Sequence, residues 1–258
     1  MIWAQARPHL TALLVVALAL GALCCTPAPA RSEAALSTSG YVEYSHLFGD
    51  IYNGVTTDDG EVLGGSYTIK GRANYGSLSA VLSYRHDLSN SQVNATTSTG
   101  QPGTLLTFPA GSIVVPQFVA VDAQFEARLE YRLQQIPVYL GAAYSNATNN
   151  YHFPTLHAIG IGLEVQPNPR RELSPYGSFF YFPNQTGIYP LADPNNPASG
   201  SVTESLHANE LEIGLSFAVP RTQLNIIAGY QQTTNISRTG SFNFVLDGPF
   251  LGVGYRLR

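Results

Sequence analysis

Five histidines follow the first forty residues: His46, His86, His152, His157 and His207. Two of them stand beside groups with which an imidazole performs hydrolytic chemistry. His86 is followed at once by Asp87, and His207 closely follows Glu204 and Ser205. Imidazole next to a carboxylate or a hydroxyl supplies general acid–base or nucleophilic catalysis. His86, Asp87 and His207 are therefore the candidate catalytic side chains. They lack the local grammar of a hydrolase: there is no Gly-x-Ser-x-Gly elbow and no Asp-x-His pair on one run, and no constellation meets the geometric requirements of a site. The acidic pair Asp58-Asp59 stands isolated.

A second set of chemically able residues is larger. Lys70, Arg72, Arg85, Asp122, Glu126, Arg128, Glu130, Glu164 and Glu212 all lie inside alternating polar–apolar runs. Charges withdrawn from water persist when they are paired. The set is therefore either an ion-pair network that closes an interior or a charged eyelet around a narrow pore. Nothing in either set calls for a cofactor or a metal.

The elements that must hold these residues are strands. In residues 66–87, Tyr67, Ile69, Gly71, Ala73 and Tyr75 alternate with Thr68, Lys70, Arg72 and Asn74. After Gly76-Ser77, Leu78, Ala80, Leu82 and Tyr84 alternate with Ser79, Val81, Ser83 and Arg85. Successive side chains of a strand point to opposite faces, so this stretch reads as a hairpin with one oily and one polar face. Similar runs are expected over 40–47, 118–133, 138–145, 156–166, 173–182, 208–219, 223–232 and 247–257. The clearest is 118–133, where Val119, Val121, Ala123, Phe125, Ala127, Leu129 and Tyr131 oppose Asp122, Gln124, Glu126, Arg128, Glu130 and Arg132. In 173–182 aromatic residues occupy both faces, so its orientation is ambiguous. The segment 104–116, "TLLTFPAGSIVVP", is apolar enough to fold inward as a plug or to pack on a rim.

Charged residues make up only 12% of the 258-residue chain, against a typical ~25%, and Lys70 is the single lysine. With 13 basic and 17 acidic residues there is no basic footprint for nucleic acid. The first thirty residues differ in kind. Arg7 precedes an apolar stretch over 10–25, and Ala28-Pro29-Ala30 follows. This is the grammar of a secretory signal peptide over 1–30, cut after Ala30 or near Ala34. A lipoprotein cut at Cys24 or Cys25 is the alternative, as is a membrane-anchoring helix, although the run is short of the ~20 residues a span needs. Both cysteines fall within this segment. The remainder, 31–258, then has neither disulfides nor thiolate metal ligands.

The connections between runs alternate in length. Gly76-Ser77, "QQIP", "PNPRRE" and "PRT" are short, and the intervening ones, such as 183–207, are long. Tyrosines end the oily rows: Tyr75, Tyr131 and Tyr255 near the short turns, and Tyr67, Tyr84, Tyr144 and Tyr230 near the long loops. Interfacial girdles have this placement. From Tyr67 to Tyr75 a tilted strand rises about 20 Å, close to an outer-membrane apolar band. The final run, Gly252-Val253-Gly254-Tyr255-Arg256-Leu257, resembles the C-terminal assembly signal of bacterial outer-membrane proteins. Phe250 stands where that signal prefers a polar residue, and Arg258 where it prefers an aromatic.

The chain thus resembles the bacterial outer-membrane β-barrel superfamily. The resemblance implies an all-β, up-and-down antiparallel transmembrane barrel of about ten strands. It implies export to a Gram-negative outer membrane, contact with outer-membrane lipid, and recognition of the last strand by the barrel assembly machinery. A structural barrel or a narrow porin-like passive pore with long surface loops is the expected function. An outer-membrane hydrolase, lipid A-modifying or omptin-like, with its site at the extracellular mouth, remains open. So does a soluble secreted barrel with an apolar ligand.

Overall fold

Alternation dictates strands, and strands must pair. The structure, a computed structural model, describes residues 36–53, 64–90, 95–108, 111–133, 136–150, 154–168, 171–190, 201–238 and 242–257. The expected signal peptide and its cut sites, Asp58-Asp59 and His152 lie outside the described residues. Ten strands close a barrel: β1 (Leu36–Asn53), β2 (Gly64–Tyr75), β3 (Leu78–Asn90), β7 (Val119–Arg132), β8 (Val138–Asn149), β9 (Leu156–Val165), β10 (Leu173–Pro190), β11 (Ser201–Ala218), β12 (Leu224–Ser237) and β13 (Phe242–Leu257). Each pairs antiparallel with its neighbours, and β13 returns to β1 with Thr38 opposite Leu257 and Asn53 opposite Phe242.

The connection from β3 to β7 carries three further strands, β4 (Ala95–Thr96), β5 (Pro102–Phe108) and β6 (Gly111–Pro116), in a sheet of their own. Within the apolar segment 104–116, β5 and β6 therefore pair with each other. The pairing sets Thr104 opposite Val115 and Leu106 opposite Ile113, and Leu105 and Val114 are exposed.

The turns at one end are tight because their residues permit it. Gly76 takes a left-handed φ of 59°, which a two-residue hairpin turn requires. At the 220–223 turn Arg221 adopts φ 63°. There the Thr222 hydroxyl donates to the Val219 carbonyl at 2.9 Å and accepts from the Leu224 amide at 3.1 Å.

On the loop side several strands run past the alternating runs. β1 reaches Asn53, β10 reaches Pro190, and β11 begins at Ser201. Outside the apolar belt the ladder continues on residues such as Thr186, Ser205 and Glu204, which carry no two-residue hydrophobic period. Within β10 the register shifts between Phe182 and Gln185. The irregularity includes Pro183, which has no N–H to give the ladder. It also moves the inward face from even positions (Phe180, Phe182) to odd ones (Gln185, Gly187), all of them buried.

Which face is wet is decided along single strands. On β7, Leu129 is 63% exposed, while its neighbours Arg128 and Glu130 are 7% and 1% exposed. Phe125, Ile159, Ile161, Leu215 and Leu251 are exposed in the same way, and the seven girdle tyrosines, Tyr67, Tyr75, Tyr84, Tyr131, Tyr144, Tyr230 and Tyr255, all face out. Soluble monomers rarely expose apolar patches beyond a few hundred Å². An apolar skin around a closed barrel with enclosed charges is the architecture of bacterial outer-membrane proteins, and the protein is a transmembrane β-barrel of that membrane. A soluble barrel with an oily pocket is excluded by the same observation.

Space inside comes from glycine. Gly160 and Gly162 on β9 face the lumen beneath Phe182 and Phe180 of β10. A Cβ on Gly162 would stand 2.2 Å from the Phe179 carbonyl oxygen and 2.6 Å from the Phe180 ring. The rings lie flat where the side chains are missing.

Leu82→Arg places a cation on the lipid face near mid-belt, midway between Leu78 and His86. It is expected to destabilise the folded barrel by ~2–4 kcal/mol in reversible urea unfolding from phospholipid vesicles. An unchanged midpoint would show that this row does not touch hydrocarbon.

Candidate functional site

The functional candidates sort by strand parity into two surfaces. The inward positions of β2, β3, β7, β9 and β11 bring Lys70, Arg72, Arg85, Asp122, Glu126, Arg128, Glu130, Glu164 and Glu212 into the lumen. Most are buried, and all but Asp122 take part in the contacts below. Lys70 on β2 donates to Glu212 on β11 at 2.7 Å. Arg72 donates to Ser79 at 2.5 Å, to Glu130 on β7 at 2.8 Å, and to Glu164 on β9. Arg128 on β7 donates to Glu126 and approaches Glu164 and Glu210 at 3.7 and 3.8 Å. Arg85 on β3 meets Asp87 at 3.1 Å and donates to the Thr233 hydroxyl on β12 at 2.9 Å.

Several of these contacts cross the lumen. Between β2 and β11, the shorter way round passes β1, β13 and β12; between β2 and β9 it passes β3, β7 and β8; between β7 and β11 it passes β8, β9 and β10. The pairs therefore span close to the diameter of a narrow barrel. Aromatic rings fill the gaps. Arg128 lies 4.0 Å over the Phe180 ring, Lys70 4.9 Å over Tyr41, and Arg72 5.6 Å over Tyr139. Each guanidinium or ammonium thereby gains a π-face as well as carboxylates. Tyr176 meets Phe250 edge-on, with Ile227 and Tyr41 packed against them. Phe250 is thus a lumen residue, which explains an apolar side chain where the C-terminal signal prefers a polar one. On the opposite wall Phe180 and Phe182 pack with Ala143, Ala158 and Ala208.

A cavity of about 50 Å³ remains beside the network, lined by Glu43, Thr68, Lys70, Arg85, Glu210 and Gln231 among others. On this measure about 10–15 Å³ holds one water, so the cavity has room for a few waters. Glu43 Oε2 and Thr68 Oγ1 are buried there without a hydrogen-bond partner. Among the described residues no cluster of three or more His, Asp or Glu side chains is arranged to hold a metal.

Arg85 and Glu126, on neighbouring strands, pair with other residues and not with each other. Arg85 stands opposite Gln124, and Glu126 opposite Ser83. The two-residue offset hands Glu126 to Arg128 of its own strand and Arg85 to Asp87. Glu43, Glu204 and Glu210 also face the lumen. Parity would have found Glu43 and Glu210. Glu204 was beyond reach because the apolar period stops before it.

The catalytic candidates are dispersed. Asp87 is buried in the lumen, while His86, the next residue back, lies on the outer face beside Tyr84. His207 also faces outward, stacked on Tyr181. Glu204 points inward and takes the Ser237 hydroxyl at 2.8 Å, whereas Ser205 donates to Asn184 at 2.8 Å. His86 shares no surface with Asp87, nor His207 with Glu204, because residues an odd number of places apart on a strand face opposite ways.

No protein-family model matches the sequence, and no curated protein sequence matches it. Among solved structures the chain is similar to Ail, the attachment invasion locus protein of Yersinia pestis (11% identity, TM-score 0.30, covering 85% of this chain and 99% of that one). It is similar to in-vitro folded OmpT, an outer membrane protein of Vibrio cholerae (12% identity, TM-score 0.30, 84% of this chain and 64% of that one). It is also similar to a deltaS2 mutant of the TodX monoaromatic hydrocarbon channel (11% identity, TM-score 0.28, 91% and 93%). Likeness at this level lends no weight to any function. Membrane placement rests on the barrel's own closure and skin.

Lys70→Met leaves Glu212 buried without its cation and is expected to cost about 3–5 kcal/mol. Lys70→Met combined with Glu212→Met is expected to recover most of that loss. Urea midpoints in vesicles compare the three proteins; a double variant no better than the single one would deny the direct pairing.

Proposed function

We propose that this protein is a closed, structural barrel of the outer membrane, a scaffold that holds long loops at the cell surface and conducts no ions through its lumen. The observation that carries the proposal is the set of cross-lumen bonds, above all Lys70 to Glu212 and Arg72 to Glu164. A passive pore needs a continuous wet path. Here charged side chains from opposite walls meet in the middle and are themselves covered by Phe180, Tyr41 and Tyr139. Eight strands already give an interior that side chains fill, and ten add little width. In a low-dielectric interior such charges keep their partners, since a charge left unpaired carries a large desolvation cost. The final strand, β13, is the proposed handle for the barrel assembly machinery, with Leu251, Val253 and Tyr255 on its lipid face.

Reconstitution in planar bilayers tests the scaffold against the pore. The wild-type barrel is expected to give no unitary current steps. Arg72→Ser with Arg128→Ser removes the two guanidinium groups that reach across and is expected to produce steps. Regular steps from the wild type would make it a pore.

A further inference from the structure

The hydrolase candidates, once placed, form a pattern of another kind. Of the four described histidines, all on the outer wall, His86, His157 and His207 are each stacked on a tyrosine. The ring centroids of Tyr84 and His86, Tyr144 and His157, and Tyr181 and His207 are 6.3, 6.5 and 6.4 Å apart, with interplanar angles of 23°, 25° and 14°. In every pair the tyrosine hydroxyl faces the same ring nitrogen, Nδ1, at 3.4, 3.1 and 3.3 Å. At His157 the Asn146 amide nitrogen also reaches Nδ1, at 3.0 Å. An amide NH₂ only donates, so Nδ1 of His157 accepts and the ring proton sits on Nε2. At His86 and His207 a tyrosine hydroxyl that donates to Nδ1 places the ring proton on Nε2 in the same way. Among the described residues nothing takes the Nε2–H of these three rings.

The heights agree. From Leu78 to His86 on β3, and from Val165 to His157 on β9, a tilted strand rises about 20 Å, and His207 is slightly further from Phe217 on β11. Each pair therefore lies at the loop-side edge of the apolar belt, where hydrocarbon gives way to headgroups. The three pairs occupy one arc of the wall, from β11 through β10, β9, β8 and β7 to β3. Across the barrel, the corresponding contact is Tyr230 donating to Asp247, an acid. On the histidine arc the neighbouring outward side chains are Asn146, Thr148, Ser205 and Asn209, which are neutral. Among the described residues, the histidine arc thus offers hydrogen-bond donors without a repelling carboxylate, and the other arc, which carries His46, also carries the Asp247 carboxylate.

We propose that the three tyrosine–histidine pairs are binding sites for the phosphate groups of outer-leaflet lipids, with Nε2–H as the donor to a phosphate oxygen and the tyrosine ring against the first acyl carbons. A hydrogen bond to a charged group contributes about 1.5–3 kcal/mol, so each pair raises the affinity for one phosphorylated lipid about tenfold or more. The sites lie on the outer wall, so they stand or fall separately from the closed lumen, which conductance reports.

The test uses the full barrel in neutral dodecyl maltoside micelles, titrated with dimyristoyl phosphatidic acid or with dimyristoyl glycerol, which lacks the phosphate. Native mass spectrometry counts the lipids retained. His86→Phe, His157→Phe and His207→Phe are made singly and together, keeping the stacked ring while deleting the donor; heat-modifiable gel mobility checks folding. Each substitution is expected to remove one tightly held phosphatidic acid, and the triple variant all of them, with diacylglycerol retention unchanged. If the triple variant does not fold, the single variants carry the same stoichiometric expectation. Equal phosphatidic acid retention by wild type and variants overturns the proposal, as does an equal loss of diacylglycerol. Complete competition by millimolar inorganic phosphate would also overturn it, since the site would then hold free phosphate.

Discussion

Hydrocarbon offers no partner to a peptide N–H or C=O, and this one restriction shapes the molecule. A sheet in a bilayer has to close, because an open edge leaves a row of unpaired backbone groups, each costly to bury. The pairing of β13 with β1 removes that edge. Closure then divides every strand. Odd and even positions become lipid and lumen, with no third environment available. The oily rows of β2, β3, β7 and β13 and the charged rows beside them follow from that division.

Enclosure changes what the charges can do. In water, Arg72 and Glu164 would contribute little by pairing. Inside the barrel each is nearly removed from solvent, and each is tolerable because the other is there. The lumen is narrow enough for side chains on far walls to meet, so the network works as a set of cross-ties. Phe180 and Phe182 fit against the β9 wall because Gly160 and Gly162 present no side chains. The interior is packed like a protein core, with carboxylates and guanidinium groups taking part of the place that leucines hold elsewhere.

The same parity that fills the lumen sorts the histidines. His86 and Asp87 look like a catalytic dyad when read as neighbours in a chain. On a strand they are strangers, one facing lipid headgroups and the other facing Arg85. Adjacent residues share chemistry in a helix cap or a loop; on β3 they share only a backbone. What His86 gains is Tyr84, two residues away on the same face, and the same relation is rebuilt across strands at Tyr144–His157 and Tyr181–His207.

The alternation in 66–87 and 118–133 sufficed to place strands, to assign faces, and to name most of the enclosed charges, since a two-residue period is a local property. The spacing of turns sufficed for strand number and for the up-and-down order. Three features lay beyond it. The loop-side ends of β1, β10 and β11 run past the apolar belt, where outward positions need not be oily, and on β10 and β11 the inward positions there include buried polar residues, Gln185 and Glu204. In β10 a shift of register near Pro183 exchanges the two faces, and aromatic residues on both sides hid it. The choice of partners across the lumen, Lys70 with Glu212 and Arg128 with Glu126, depends on which strands face one another once the sheet has curled. Sequence by itself determined the strands and what each face would carry, because side-chain direction in a strand is fixed by the backbone. Only closure decided who meets whom, because distance across a barrel is set by its circumference and is written in no single strand.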